Sequence, residues 1–272
     1  MGNLLRKKEA TKINEKVTQI QEINESNSSL EYTALRVLDM EIGGQYEEEL
    51  AKWEVCIVVL AGKADVKQGG QVFENIGTRD SVFERIPTDS VYVSNDQSFK
   101  ITANTDARIV LCYAPSTEKK ETTLIKAEDN SIENRGKYSN KRLVHNILPD
   151  DSPLANSLLV VEVYTDSGNW SSYPPHKHDE DNLPHESFLE EIYYHEMDPE
   201  QGFVFQRVYT EDRSIDELNA VYNQDSILVA AGYHPVAVPD GYDNYYLNVM
   251  AGPVRKWEFH NEKAHEWILD RD

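Results

Sequence analysis

The chain has 272 residues, enough for one large domain or two of ordinary size and for a substantial buried core. Its 27 basic and 48 acidic side chains leave a formal charge of −21, a field that repels phosphate backbones and anionic headgroups and argues against nucleic-acid or membrane-surface binding. The longest apolar runs, such as residues 55–61, fall far short of the roughly 20 residues that span a bilayer, and no secretory or myristoylation pattern opens the chain, so a cytoplasmic protein is expected.

Residues 1–29 read as a polar N-terminal lead-in, because residues 7–24 are charged, helix-prone and only weakly amphipathic. From residue 30 onward the apolar positions recur with period two, at residues 35–40, 54–60, 91–93, 99–103 and 108–113, which is the pattern of strands. The two cysteines, Cys56 and Cys112, fall inside such runs and are expected to be reduced, buried hydrophobes. Residues 116–140 are polar and turn-prone and read as a linker. Strand patterns resume at 157–164, 191–195, 203–209, 226–231 and 245–250. Many short strands broken by Gly, Pro, Asn and Asp predict an all-β chain with a sandwich or jelly-roll barrel in each half, over residues 30–115 and 141–272. No phosphate-binding glycine loop or nucleophile-elbow motif is present.

The two halves differ in chemistry. Residues 1–150 are nearly balanced at net −4, whereas residues 151–272 carry 7 basic against 24 acidic side chains, net −17. Histidine is absent before His145, and seven of the eight follow residue 170. In Pro174-Pro175-His176-Lys177-His178 the two imidazoles lie two residues apart, which on a strand aims both at one point and turns Lys177 away. Glu191 opens the next apolar strand and can add an oxygen; Glu190 is its neighbour, and only one of the two can face inward. His234, following a further strand, can add a third imidazole. Three histidines and a carboxylate suit Zn, Mn, Fe, Co or Ni without choosing among them. The bland reading of the H-x-H is a pair of exposed loop histidines.

Several ordered segments, among them Tyr173-Pro174-Pro175-His176-Lys177-His178-Asp179, Glu190-Glu191-Ile192-Tyr193-Tyr194, Gln206-Arg207-Val208-Tyr209, Gly232-Tyr233-His234-Pro235 and, in the first half, Gly77-Thr78-Arg79-Asp80-Ser81-Val82-Phe83-Glu84, resemble the 5-deoxyglucuronate isomerase family of bacterial inositol catabolism. The resemblance spans roughly residues 30 to 260. It implies two tandem cupin barrels and one divalent transition-metal ion, held in the second barrel by His176, His178, Glu191 and His234. The reaction it implies is an aldose–ketose isomerisation of 5-deoxyglucuronate to 5-dehydro-2-deoxygluconate, with a small sugar acid as partner and a homo-oligomer as an open option. Twelve residues separate His178 from Glu191, so a loop over residues 179–190 must be inserted between the ligand strands. Arg85 stands where the resemblance leads one to expect glycine.

A side-chain base must carry the proton, and Tyr193 and His195, which share the face of Glu191 by period two, and Tyr246 are the candidates; Tyr193 and Tyr246 are also candidate substrate-binding residues. Arg207 is the leading candidate to grip the substrate carboxylate, provided that it and not Gln206 faces the interior; Arg142 and Arg255 are the alternatives. Competing readings are an isomerase of another deoxy-keto-uronate and a non-enzymatic sugar-binding bicupin.

Overall fold

The computed structural model describes residues 4–271, and their strands build two antiparallel barrels, each a seven-stranded sheet closed by a four-stranded one. In the first barrel the large sheet runs Thr123–Ile125, Ser90–Val93, Trp53–Ala61, Ala107–Pro115, Ala34–Met40, Val17–Ile23, Thr11–Asn14. In the second it runs Leu5–Arg6, Ser226–Val229, Glu190–Asp198, Asp243–Ala251, Leu159–Thr165, Arg142–Leu148, Ser131–Arg135. The two orders correspond strand for strand, so the halves are structural repeats. The helical segments are short 3-10 turns, and among the described residues no helix is long and apolar enough to cross a membrane.

The correspondence corrects the reading of the two polar segments. Residues 7–24 are not helical: Thr11–Asn14 and Val17–Ile23 are paired strands. The β-branched Val17, Thr18, Ile20 and Ile23 favour a strand, and a register shift between Gln19 and Gln21 breaks the period of two that would have revealed it. The supposed linker is also structured, since Thr123–Ile125 pairs with Ser90–Val93 and Ser131–Arg135 with Arg142–Leu148. The first strand of each repeat is exchanged: Leu5–Arg6 pairs with Ser226–Val229 of the second barrel, and Thr123–Ile125 completes the sheet of the first. Each polar segment thereby covers an exposed edge of the other's barrel.

One apolar cluster, including Val55, Ile57, Val59, Ile109 and Leu111, fills the first barrel. A second runs between the two large sheets and through the second barrel. Trp53–Ala61 is buried on both faces for that reason, Val55, Ile57 and Val59 lining the barrel while Cys56, Val58 and Leu60 join the inter-barrel cluster. Cys56 and Cys112 are cross-strand neighbours in this layer, both buried and reduced. The layer also holds a polar core. Arg79 of the first half forms a buried ion pair with Glu162 of the second and donates to the Tyr164 hydroxyl at 2.6 Å, while the Tyr245 hydroxyl donates to Glu162 at 2.8 Å. Arg85 adopts φ 57°, the left-handed conformation that glycine takes most easily, and its guanidinium pairs with Asp166 at 2.6 Å and Asp243 at 2.8 Å.

Candidate functional site

Strand register shows what distinguishes the second barrel. Val55 and Ile57 face Val93 and Val91 in the first barrel, as Glu191 and Tyr193 face Val229 and Ile227 in the second. On the next strand Leu111 lies opposite Ile57, as Asn248 lies opposite Tyr193. The interior series Val55, Ile57, Leu111 is therefore replaced by Glu191, Tyr193, Asn248: the repeat keeps the backbone and exchanges an apolar filling for a polar one.

His176 and His178 leave a short strand, Glu191 lies on Glu190–Asp198, and His234 follows Ser226–Val229. The three imidazoles offer nitrogen atoms within 4.8 Å of one another. Glu191 Oε2 lies 3.1 Å from His178 Nε2 and 3.2 Å from His234 Nε2. His178 Nδ1 bonds the Leu189 carbonyl and His234 Nδ1 the Gly232 carbonyl, both at 2.8 Å. A carbonyl only accepts, so each Nδ1 carries the proton and each Nε2 turns toward the shared point. Gly232 at φ 96° permits this, because a Cβ there would sit 2.5 Å from the Tyr209 carbonyl oxygen. Glu190 points the other way and accepts the Glu31 and Tyr32 backbone N–H groups at 2.9 and 2.7 Å.

Electrostatics give the group its character. Burial lowers the basicity of His176 well below the ordinary range, helped by the nearby imidazoles and Arg142. Burial likewise brings His234 to about 4 despite Glu191. For His178 the Glu191 carboxylate outweighs burial and raises it. His234 Nε2 is buried without a hydrogen-bond partner, its lone pair facing a carboxylate oxygen. Two acceptors held face to face out of water are unfavourable unless a cation lies between them. The donor set therefore fits a metal ion held by His176, His178, Glu191 and His234.

Beside the histidines is a cavity whose lining includes Arg135, Arg142, Ser172, Tyr193, Tyr246, Asn248 and Trp257. The Tyr193 hydroxyl is 2.9 Å from the Ser172 hydroxyl, and its ring packs against those of His234 and Tyr246. Burial raises both phenols, so they stay protonated. His195 stacks on Tyr193 and has both nitrogens engaged, Nε2 with Gln206 Oε1 at 2.9 Å and Nδ1 with Asn244 Nδ2 at 3.2 Å. Burial holds it at about 4, which keeps it neutral.

Gln206 thus takes the interior position, and the structure places Arg207 on the outer face. There its fork grips Asp216 through two bonds of 2.8 Å and lies over the Tyr209 ring, away from the cavity. Lys177 points away from the histidines as alternation requires and is bound by Asp179, Glu180 and Glu186. The inserted segment after His178 is a two-stranded hairpin, Asp179–Asn182 with Glu186–Phe188. Asn248 was discoverable from the sequence, since it shares the parity of Tyr246; Ser172 and Trp257 carry no local signal.

Two double-sheet barrels, the second with a three-histidine, one-carboxylate centre, define a bicupin. Lactobacillus farciminis oxalate decarboxylase shares this fold, with a TM-score of 0.69 at 13% identity over 100% of this chain and 91% of its own. The chain belongs to the KduI/IolB family, whose pattern it matches over residues 4–268, and it is an isomerase. It is 67% identical to the 5-deoxy-glucuronate isomerase of Bacillus licheniformis over the full length of both chains. An iolb-like protein from Salmonella typhimurium superposes with a TM-score of 0.93 at 48% identity, covering 98% of this chain and 100% of that one.

Proposed function

We propose that the chain converts 5-deoxyglucuronate to 5-dehydro-2-deoxygluconate in the cytosol, as a step of inositol breakdown, using one divalent transition-metal ion (Zn, Mn, Fe, Co or Ni) held by His176, His178, Glu191 and His234. The observation that carries the metal reading is the His234 Nε2 lone pair, buried 3.2 Å from the Glu191 carboxylate with no proton donor between. The full-length likeness to proteins named 5-deoxy-glucuronate isomerase supports the substrate. When bound, such an ion supplies Lewis-acid polarisation of a carbonyl and its neighbouring hydroxyl.

The isomerisation moves a proton between adjacent carbons, taken from one and returned to the other by a side-chain base, and passes through an enediolate. Tyr193 and Tyr246 keep their protons and face the cavity, so their hydroxyls can donate hydrogen bonds to oxygens that gain charge as the carbon proton leaves. Ser172 orients the Tyr193 hydroxyl, and neutral His195, fixed by Gln206 and Asn244, supports the ring from behind. The aromatic walls limit the water that competes for the same donors.

The test is turnover of 5-deoxyglucuronate by the purified chain, before and after chelation and again after each metal is restored, alongside metal content per chain. Activity that falls on chelation and returns with one metal is the expected result. Undiminished turnover by the metal-stripped protein, or turnover of a 4-deoxy-5-ketouronate in place of this sugar, overturns the reading.

A further inference from the structure

The cavity beside the histidines contains a guanidinium with no carboxylate partner. Arg142 begins Arg142–Leu148 and donates from Nη1 to the carbonyls of Asn140, at 2.9 Å, and Tyr173, at 3.4 Å. No other hydrogen bond and no ion pair engages it among the described residues. Its neighbour Arg135 is paired with Glu133 at 2.8 Å, Arg79 with Glu162 and Arg207 with Asp216. Arg255 spends its N–H groups on the carbonyls of Leu148, Pro149, Asp150, Ser152 and Leu158. Residues 151–272, which supply most of this barrel, carry 7 basic against 24 acidic side chains, so an arginine at the cavity without a carboxylate partner stands out. Arg142 lines the same cavity as His176, Tyr193 and Tyr246.

A second donor points to the same kind of ligand. Trp257 also lines the cavity, and its indole Nε1 is buried without an acceptor. A buried N–H with no protein partner is satisfied by a water or by a ligand oxygen, and beside an arginine in this cavity an anionic oxygen suits both donors. The cavity is therefore lined by a guanidinium that is fixed through Nη1, with Nε and Nη2 free of protein acceptors among the described residues, and by a tryptophan whose indole N–H has none, next to the centre that would hold the reacting end of a sugar.

We infer that Arg142 anchors the carboxylate of the sugar acid, through the fork edge left free by its carbonyl contacts, with the Trp257 indole donating to the same anion or to an adjacent hydroxyl. A planar fork matches a carboxylate with two parallel bonds, which a lysine cannot reproduce. Placed there, it makes the site selective for uronates over neutral aldoses and sets the distance between the carboxylate and the histidines. The inference rests on the isomerase reading for the identity of the sugar, while the anion requirement follows from Arg142 itself.

The experiment compares the metal-loaded full chain with Arg142→Met and Arg142→Lys. Metal content and melting temperature are measured first; calorimetric titration with D-glucuronate and with D-glucose, and steady-state kinetics on 5-deoxyglucuronate, follow. Wild type should bind glucuronate more tightly than glucose. Arg142→Met should lose that preference and raise KM by about ten- to hundredfold, as expected for a lost charge-assisted pair, with metal content unchanged. Arg142→Lys should fall between the two, and it decides the matter if the methionine variant does not fold. Wild-type KM and uronate preference in the folded variants overturn the assignment and leave the isomerase reading intact. Arg142-dependent uronate binding without turnover of 5-deoxyglucuronate does the reverse.

Discussion

Glu54 and Glu190 occupy the same register position in the two barrels, and each carboxylate closes on the backbone of the opposite half. Glu54, one residue before Val55, accepts the N–H groups of Asn156, Ser157 and Leu158 at 2.7–2.9 Å and the Tyr92 hydroxyl at 2.6 Å. Glu190, one residue before Glu191, accepts those of Glu31 and Tyr32. The pair forms a reciprocal latch across the repeat. This explains why consecutive glutamates at 190 and 191 have unrelated jobs: alternation sends one into the barrel and the other into the joint between halves.

Removing a latch should cost stability without touching the cavity. Glu54→Ala leaves the buried Leu158 N–H, the half-buried Asn156 and Ser157 N–H groups and a buried phenol without an acceptor, and is expected to destabilise the chain by about 3 kcal/mol. Urea denaturation reads this directly, and an unchanged midpoint would show that the latch contributes nothing.

The Arg79–Glu162 pair predicts how stability depends on acid. Burial alone would raise the Glu162 carboxyl, but the Arg79 charge and the surrounding hydrogen bonds outweigh it and bring it to about 2. A carboxyl depressed in the folded state contributes stability that is fully present above its unfolded value of about 4.3 and is lost as pH falls toward the folded one. The stability gap between wild type and Glu162→Gln should therefore be constant at neutral pH and narrow between about pH 4.3 and 2. A gap that does not change with pH is the contrary result.

Tyr193→Phe deletes the protonated hydroxyl nearest Ser172 while keeping the ring stacked on His195. A fall in kcat of about a hundredfold, with metal content and melting temperature unchanged, is expected for one lost donor to developing charge. Equal kcat for the two proteins removes Tyr193 from the chemistry.

Arg207→Leu should leave KM within about twofold of wild type, because its fork is turned outward onto Asp216. The ion pair is exposed at 41% and 39% of the two side chains, so its loss should shift stability by less than about 1 kcal/mol. A large rise in KM would require the strand Phe203–Tyr209 to be turned over.

The sequence alone determined what depends on neighbours along the chain. Period-two apolarity marks strands because adjacent side chains take opposite faces, and the same rule aims His176 and His178 at one point and turns Lys177 away. The histidine and charge asymmetry likewise placed the chemistry in the second half before any strand was paired. Tertiary structure alone decided which face is the interior. Local pattern treats Gln206 and Arg207, or Glu190 and Glu191, as equivalent until a second layer packs against the strand. It also decided the fate of the polar segments, since Leu5–Arg6 and Thr123–Ile125 become strands only on the edge of a distant partner, and a register shift between Gln19 and Gln21 hides the period of Val17–Ile23. Arg142 and Trp257 meet at the cavity from 115 positions apart. A donor that lacks an acceptor becomes visible only once the surrounding chain has excluded water from it.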